Sequence, residues 1–364
     1  MMNQHRSRRW LLQSTAATSC AALLVAASKP PSGELVAQVQ SLEARSLEEQ
    51  SLAVQRAVRR GTEWLVKAFH RDGGCGIDLG QTPDIGCSAI AGLSLLAQGN
   101  TPREGAYSRE VRQVVAFLLR AIAAMPADDI TAAQQTQLQT KIGRHVHSFL
   151  ATIFLSQAVG EGNQVGPTLA ALRRVVEVVV SSQSRDGHWG TNSWAPLLGT
   201  VLGWVALRAA HFAGVEVGAS PDATARFLSQ QLQNGLGAPG SWMHGLYKNA
   251  TGVRVLYALG REGEPAARRA LQDVSHLVTE DSTAFTQAGG EEFLAFHLIT
   301  ETLLQKGGAD WQRWYPVVRD KVIAGQNGDG SWSGAHCITS RTFCTAAALL
   351  VLSAPLRYLP ISQV

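Results

Sequence analysis

The sequence predicts an all-α protein built from about six helical hairpins, and three observations carry that expectation. The stretch Gln326-Asn327-Gly328-Asp329-Gly330-Ser331-Trp332 repeats Gln183-Ser184-Arg185-Asp186-Gly187-His188-Trp189 as Q-x-x-D-G-x-W. Two degenerate copies, Asp72-Gly73-Gly74-Cys75 and Gly240-Ser241-Trp242, place landmarks at 75, 189, 242 and 332. Their separations of 114, 53 and 90 residues fit a unit of roughly 45–57 residues with two copies degraded. Between the landmarks, segments with one charged face alternate with segments that are apolar and small on every side, as outer and inner helices of a layered repeat must.

Taken along the chain, the pattern predicts outer helices over 55–69, 111–124, 169–182, 223–232, 266–277 and 311–324. Each carries Arg, Lys or Glu on one face and Leu, Val or Ala on the other, the stripe of a helix with one solvated side. Inner helices are expected over 88–98, 147–159, 198–212, 250–259, 292–305 and 345–354, where charges are few. Asp-Gly joins the two kinds, because Asp bonds local backbone and Gly accepts a positive φ. The Gln is expected to bond backbone at a helix end, and the Trp to cover the turn with its indole N–H partnered. Such hairpins can stack into an open solenoid or close into a ring.

At 364 residues, 45% hydrophobic and 16% charged, the chain has the profile of a folded protein with a sizeable core. Residues 1–30 are expected to be an export leader: Arg8-Arg9 and Trp10-Leu11-Leu12 precede a small-residue apolar run ending Val25-Ala26-Ala27. The paired arginines resemble the twin-arginine address of proteins exported folded, to the periplasm or cell envelope. An uncleaved leader is the one membrane attachment expected. Cleavage after Ala27 removes Arg6, Arg8 and Arg9 and no acid, so the formal charge of +4 falls to +1 and no basic patch argues for nucleic acid. Residues 31–48 are expected to be a linker and 49–364 one domain. Cys75, Cys87, Cys337 and Cys344 remain, an even number that permits disulfides or buried thiols.

On the two full Q-x-x-D-G-x-W copies and the terminal Arg357-Tyr358-Leu359-Pro360, the chain over roughly residues 50–361 resembles the α/α-toroid superfamily of squalene–hopene cyclases and protein prenyltransferases. The resemblance implies a closed α/α6 toroid. Cyclases of this kind protonate their substrate through D-x-D-D-T-A, and that register falls here on Asp84-Ile85-Gly86-Cys87-Ser88-Ala89, where one acid survives. In the last repeat it falls on Arg341-Thr342-Phe343-Cys344-Thr345-Ala346, with no acid. Asp128-Asp129, the adjacent aspartates, read as a solvated loop or cap. The Asp-x-Cys zinc pair of prenyltransferases and the Cys-Gly-Glu-Gln of thioester toroids are both missing, so no metal and no cofactor are expected.

Cys87 and Cys344 stand at equivalent positions of the first and last units, and each is paired in expectation with its own repeat's loop cysteine, Cys75–Cys87 and Cys337–Cys344. Asp84, His147, Glu291 and Glu292 are the acids and base to test for catalysis. His145, Trp194, Tyr247, His297 and Phe343 are candidates to line a cavity, where aromatic faces stabilise cations; core packing is the alternative. Glu292 and His297 are five apart, which misses the Glu-x-x-His spacing of carboxylate metal bundles. The function expected is a binding or scaffold toroid for an isoprenoid, a lipid or a protein partner; the alternative is a terpene cyclase or prenyl-transfer enzyme with non-standard acids. Replacing Arg8 and Arg9 by Lys is expected to retain the protein in the cytoplasm of a bacterial host, read by fractionation; undiminished export would show another route.

Overall fold

A positive-φ turn that must touch its neighbour organises the chain. In the computed structural model, which describes residues 33–126, 135–190, 192–233, 242–280 and 283–363, the backbone at Gly73, Gly187 and Gly330 lies at φ +90, +94 and +97. Each turn is closed by the same two bonds. Gly73 N donates to His70 O, Gly187 N to Ser184 O and Gly330 N to Asn327 O, all at 2.9 Å. In the second, His70, Ser184 and Asn327 N–H groups donate to the carbonyls of Gly74, His188 and Ser331 at 2.8–2.9 Å. The degenerate first copy is therefore a full structural equivalent, with buried Cys75 in the place of Trp. The Gly240-Ser241-Trp242 copy lies outside the described residues except for the backbone of Trp242.

The repeated Gln and Trp do what their chemistry suggests. Trp189 Nε1 donates to Val179 O at 2.8 Å and Trp332 Nε1 to Val322 O at 2.7 Å, each reaching back ten residues to the outer helix that it covers. Gln183 Nε2 donates to Gly187 O within the turn and to Ser220 O and Thr224 Oγ1 of the next outer helix. Gln326 Nε2 makes the matching bonds to Gly330 O and, across the seam of the ring, to Ala57 O.

The chain forms two units that meet between Gln50 and Ser51. In the first unit, residues 33–50 are helical, the opening of α1 (Gly33–Ala68), where a linker over 31–48 is expected; the run is rich in Glu, Leu, Ala and Gln and contains no Gly or Pro after Gly33. The second unit places the rest of α1 with α3 (Ser108–Ala124), α6 (Val165–Ser181), α8 (Ser220–Gln233), α10 (Pro265–Glu280) and α13 (Gly308–Ala324) as outer helices. Inner helices are α2 (Ile85–Ala97), α5 (Val146–Ala158), α7 (Pro196–Phe212), α9 (Trp242–Ala258), α12 (Gly290–Lys306) and α14 (Arg341–Ser353). Each inner helix packs on the next, and α14 packs on α2, so the hairpins close into an α/α toroid rather than an open solenoid. Short helices α4 (Gln137–Lys141) and α11 (Thr283–Thr286) sit in connections.

Burial follows position in the ring. Every residue of α2 and α5 is buried, whereas α3 buries only Val111, Val114, Val115, Leu118 and Ile122, a stripe at three- and four-residue spacing. Ile90, Leu93, Leu150, Ile153, Leu202, Leu294 and Leu350 converge on the axis and leave a void of about 20 Å³. At the C-terminal ends of the inner helices the tail crosses the mouth: Leu359 and Ile361 are buried against this void, Ile361 N donates to Gln157 Oε1, and Gln305 Nε2 donates to Ile361 O. The axis is thus filled where an apolar cavity is one of the expectations.

A Cβ at Gly187 would lie 2.4 Å from Ala223 O, and one at Gly330 would lie 2.6 Å from Arg60 O, on top of the left-handed φ. Gly187→Ala and Gly330→Ala are each expected to cost about 2–4 kcal/mol in urea unfolding. Gly328→Ala, in the same turn but with open space at its Cβ, is expected to stay within about 0.5 kcal/mol.

Candidate functional site

All six inner helices start at one rim, and the polar residues singled out in the sequence gather there in two clusters. The first surrounds His147. Asp84 caps α2 by accepting from Cys87 N at 2.8 Å, and its Oδ1 lies 3.5 Å from His147 Nδ1. Gly86 N donates to His147 Nδ1 at 3.0 Å, so that nitrogen is an acceptor and Nε2–H is left to donate to Thr136 Oγ1, also at 3.0 Å. Burial lowers the pKa of His147, with Asp84 pulling the other way. A ring bonded on both nitrogens fixes the start of α2 against α5. These bonds bring Asp84 and His147 together as a pair.

The second cluster opens α12. Glu292 accepts from Gly289 N at 2.5 Å and from the Tyr247 hydroxyl of α9, whose own pKa is raised by burial and by the Glu292 and Glu291 charges. Glu291 accepts from Ile338 N at 3.2 Å through Oε2, while its buried Oε1 has no hydrogen-bond partner. Burial, and then the neighbouring Glu292, raise the Glu291 pKa above the ordinary carboxylate range. Half-buried Cys337, at φ +54, places its thiol beside Glu291 and the Lys141 ammonium; burial and Glu291 raise its pKa and Lys141 opposes them. Lys141 also lies over the Trp194 ring at 5.4 Å, whose centroid is 4.8 Å from that of His244. Trp194 is 40% exposed, an aromatic on the open rim rather than a cavity wall.

A cleft of about 750 Å³ opens on this rim between α4, the start of α5 and the loop after Trp189. Gln135, Gln139, Arg144, His145, Asn192 and Ser193 line it with amide, hydroxyl and cationic groups. His145 therefore faces a polar cleft. The remaining candidates separate: Phe343 is fully buried core, and His297 lies on the axis with Nε2 3.7 Å from Glu301 Oε2. Fully buried Arg254 of α9 joins that axial group, donating from Nη1 to Gln305 Oε1 at 3.1 Å. Neither Arg254 nor Glu301 carries a motif that reveals it in the sequence; both are single charges within apolar helices.

The four thiols are free, so neither Cys75–Cys87 nor Cys337–Cys344 is bridged. Cys87 Sγ turns to Ser340 Oγ at 3.9 Å and Cys344 Sγ to Ile338 O at 3.7 Å, each engaged with a different neighbour. What secures the two loops instead is a hydroxyl thirteen residues on: Ser88 Oγ bonds both N and O of Cys75, and Thr345 Oγ1 bonds both N and O of Trp332. Asp128-Asp129 and the expected leader lie outside the described residues. Among the described residues no three His, Cys, Asp or Glu groups are placed to share a metal ion, and no helix is long and apolar enough to cross a membrane.

No protein-family model matches the sequence, and no curated protein does. Among solved structures, the chain is similar to a variant of the type II terpene cyclase MstE from Scytonema in complex with geranylgeranyl dihydroxybenzoate, its substrate. The identity is 12% and the TM-score 0.49, over 86% of this chain and 100% of that one. That similarity adds nothing to the closed ring of helices, which the packing of α14 on α2 establishes by itself.

Both buried imidazoles, His147 and His297, have pKa values lowered by desolvation from the ordinary 6.5. The unfolded chain then binds more protons than the folded one as pH falls through 6.5, so the stability they contribute at neutral pH is lost on the acid side. Urea unfolding at about pH 7.5 and 5.5 is expected to show this loss, and His147→Gln to reduce it; an undiminished loss in that variant would assign the effect elsewhere.

Proposed function

We propose that this chain is an exported binding protein that holds its ligand or protein partner at the polar rim where the inner helices begin, and that it does not cyclise isoprenoids along its axis. The observation that carries this reading is the filled axis: a void of about 20 Å³ is far below the roughly 300–1,000 Å³ of small-molecule sites. The rim, by contrast, offers about 750 Å³ of cleft lined by polar residues that include Arg144, His145 and Asn192. Asp84 and His147, the best placed of the expected catalytic groups, are consumed by helix capping. Export to the periplasm or cell envelope belongs to the same reading and rests on the Arg8-Arg9 leader alone.

Native mass spectrometry of leader-free protein, followed by organic extraction, tests it. An apo mass, with rim amides near Arg144 and Asn192 gaining protection when the binding partner is added back, supports rim binding. A co-purifying isoprenoid would place the ligand on the axis and overturn it.

One observation favours a second reading, an acid-dependent enzyme: Glu291 is a buried carboxyl with a raised pKa and an unpartnered oxygen, the profile of a proton donor. Incubation with squalene or geranylgeranyl diphosphate is expected to give no product. Turnover that disappears in Glu291→Gln would establish the enzyme instead.

A further inference from the structure

The segment from Ala335 to Thr339 crosses the start of α12, with the Ile338 side chain buried and its carbonyl 3.7 Å from Cys344 Sγ. Ala335 N donates to Ala288 O and Gly290 N donates to Ile338 O, both at 2.9 Å. The third bond runs from Ile338 N to the Glu291 carboxyl at 3.2 Å, and Thr339 exchanges two bonds of 3.2 Å with Gln137 of α4. Between these anchors Cys337 sits at φ +54, a strained backbone for a residue with a Cβ, and one that persists only while the segment is seated.

Beneath it, the two carboxyls flank one glycine. A Cβ at Gly289 would lie 3.0 Å from Glu291 Oε2, 3.1 Å from Glu292 Oε2 and 2.5 Å from His336 O, so acids and loop crowd one backbone position. Glu292 is matched, with donors from Gly289 N and Tyr247. Glu291 is not, since Oε1 is buried without a donor. As a neutral acid Glu291 is tolerated there; as a carboxylate it sets a second buried charge beside Glu292, and the Ile338 N–H and the Cys337 thiol do not offset its burial.

We propose that Ala335–Thr339 is a proton-controlled latch over the rim, seated while Glu291 carries its proton and released when Glu291 ionises. Glu292 on α12 opposes ionisation. Tyr247 from α9 gives its hydroxyl to Glu292 rather than to Glu291, and Cys337 of the latch is a neutral thiol. Lys141 from α4 is a cation beside the thiol and moderates the effect, and Cys344 from α14 is a second neutral thiol facing Glu291. Because the seated state holds the proton more tightly than the released one, seating is complete at low pH and is lost as pH rises through the raised pKa of Glu291. Release uncovers Glu291, Glu292 and Tyr247 to any molecule at the rim, whether or not the rim-binding reading holds.

Hydrogen exchange of the full chain tests the latch, with rates corrected for intrinsic pH dependence. Protection of the Ile338 and Thr339 amides is expected to fall at least tenfold between about pH 5 and 8, while Leu349 in α14 stays unchanged. Glu291→Gln, which keeps an acceptor for Ile338 N and cannot ionise, is expected to abolish that fall. A pH-independent wild type, or an equal fall in Glu291→Gln, overturns the proposal. Should that variant fail to fold, carbon-13 titration of the wild-type glutamate carboxyls decides it: Glu291 ionising in step with loss of protection supports the latch, and ionisation in the ordinary carboxylate range overturns it.

Discussion

The whole ring depends on three glycines being seated on the backbone of the next outer helix. Gly73 meets Gln113, Gly187 meets Ala223 and Gly330 meets Arg60, each at a distance that a side chain would fill. The contact fixes how far one hairpin stands from the next, and the same step repeated brings α14 back to α2. Gln183 and Gln326 then satisfy turn and neighbour together, which turns a steric approach into a directed one. Arg60 Nη2, donating to Asn327 O and Gly328 O, strengthens the seam where the chain's own ends of the ring meet.

Closing the ring dictates where chemistry can happen. Residues of five inner helices, α2, α5, α7, α12 and α14, meet on the axis, and the tail residues Leu359 and Ile361 complete the packing. Arg254, Glu301 and His297 sit inside that packing, a costly arrangement held by Gln305, which also fastens the tail through Ile361 O. Polar groups with access to solvent are left at the rim, where the helix starts place them. The rim is therefore the surface of this toroid that differs from a structural repeat, through Glu291, Cys337, Lys141 and the cleft beside Arg144.

Much of this was legible before any coordinates. The Q-x-x-D-G-x-W copies gave the turns, and the contrast between striped and uniformly apolar segments separated outer from inner helices, because both signals are local and periodic. Asp84 at a helix start also followed from local pattern. What the sequence concealed depends on juxtaposition. Tyr247 lies 45 residues from Glu292, and Ile338 lies 47 from Glu291, so no spacing rule links them. The hydroxyls of Ser88 and Thr345, which hold the loops where disulfides were expected, share one repeat register thirteen residues from their partners, a signal masked by the adjacent cysteines. The helical character of residues 33–50 was hidden by their lack of a landmark, although their composition favours it.

The seam has a consequence for synthesis. Its bonds join residues 267 to 269 positions apart, so nothing closes the ring until almost the entire second unit has left the ribosome. Until then α2 waits without α14, and its largely apolar surface has two helical neighbours, α3 and α5, instead of three. Such long-range closure is slow relative to the local formation of hairpins, which leaves an open, sticky arc as the last state before the native one. For this molecule the hazard of aggregation is concentrated in the time before Gln326 and Trp332 arrive, and a finished ring is the first form that is safe to hand onward.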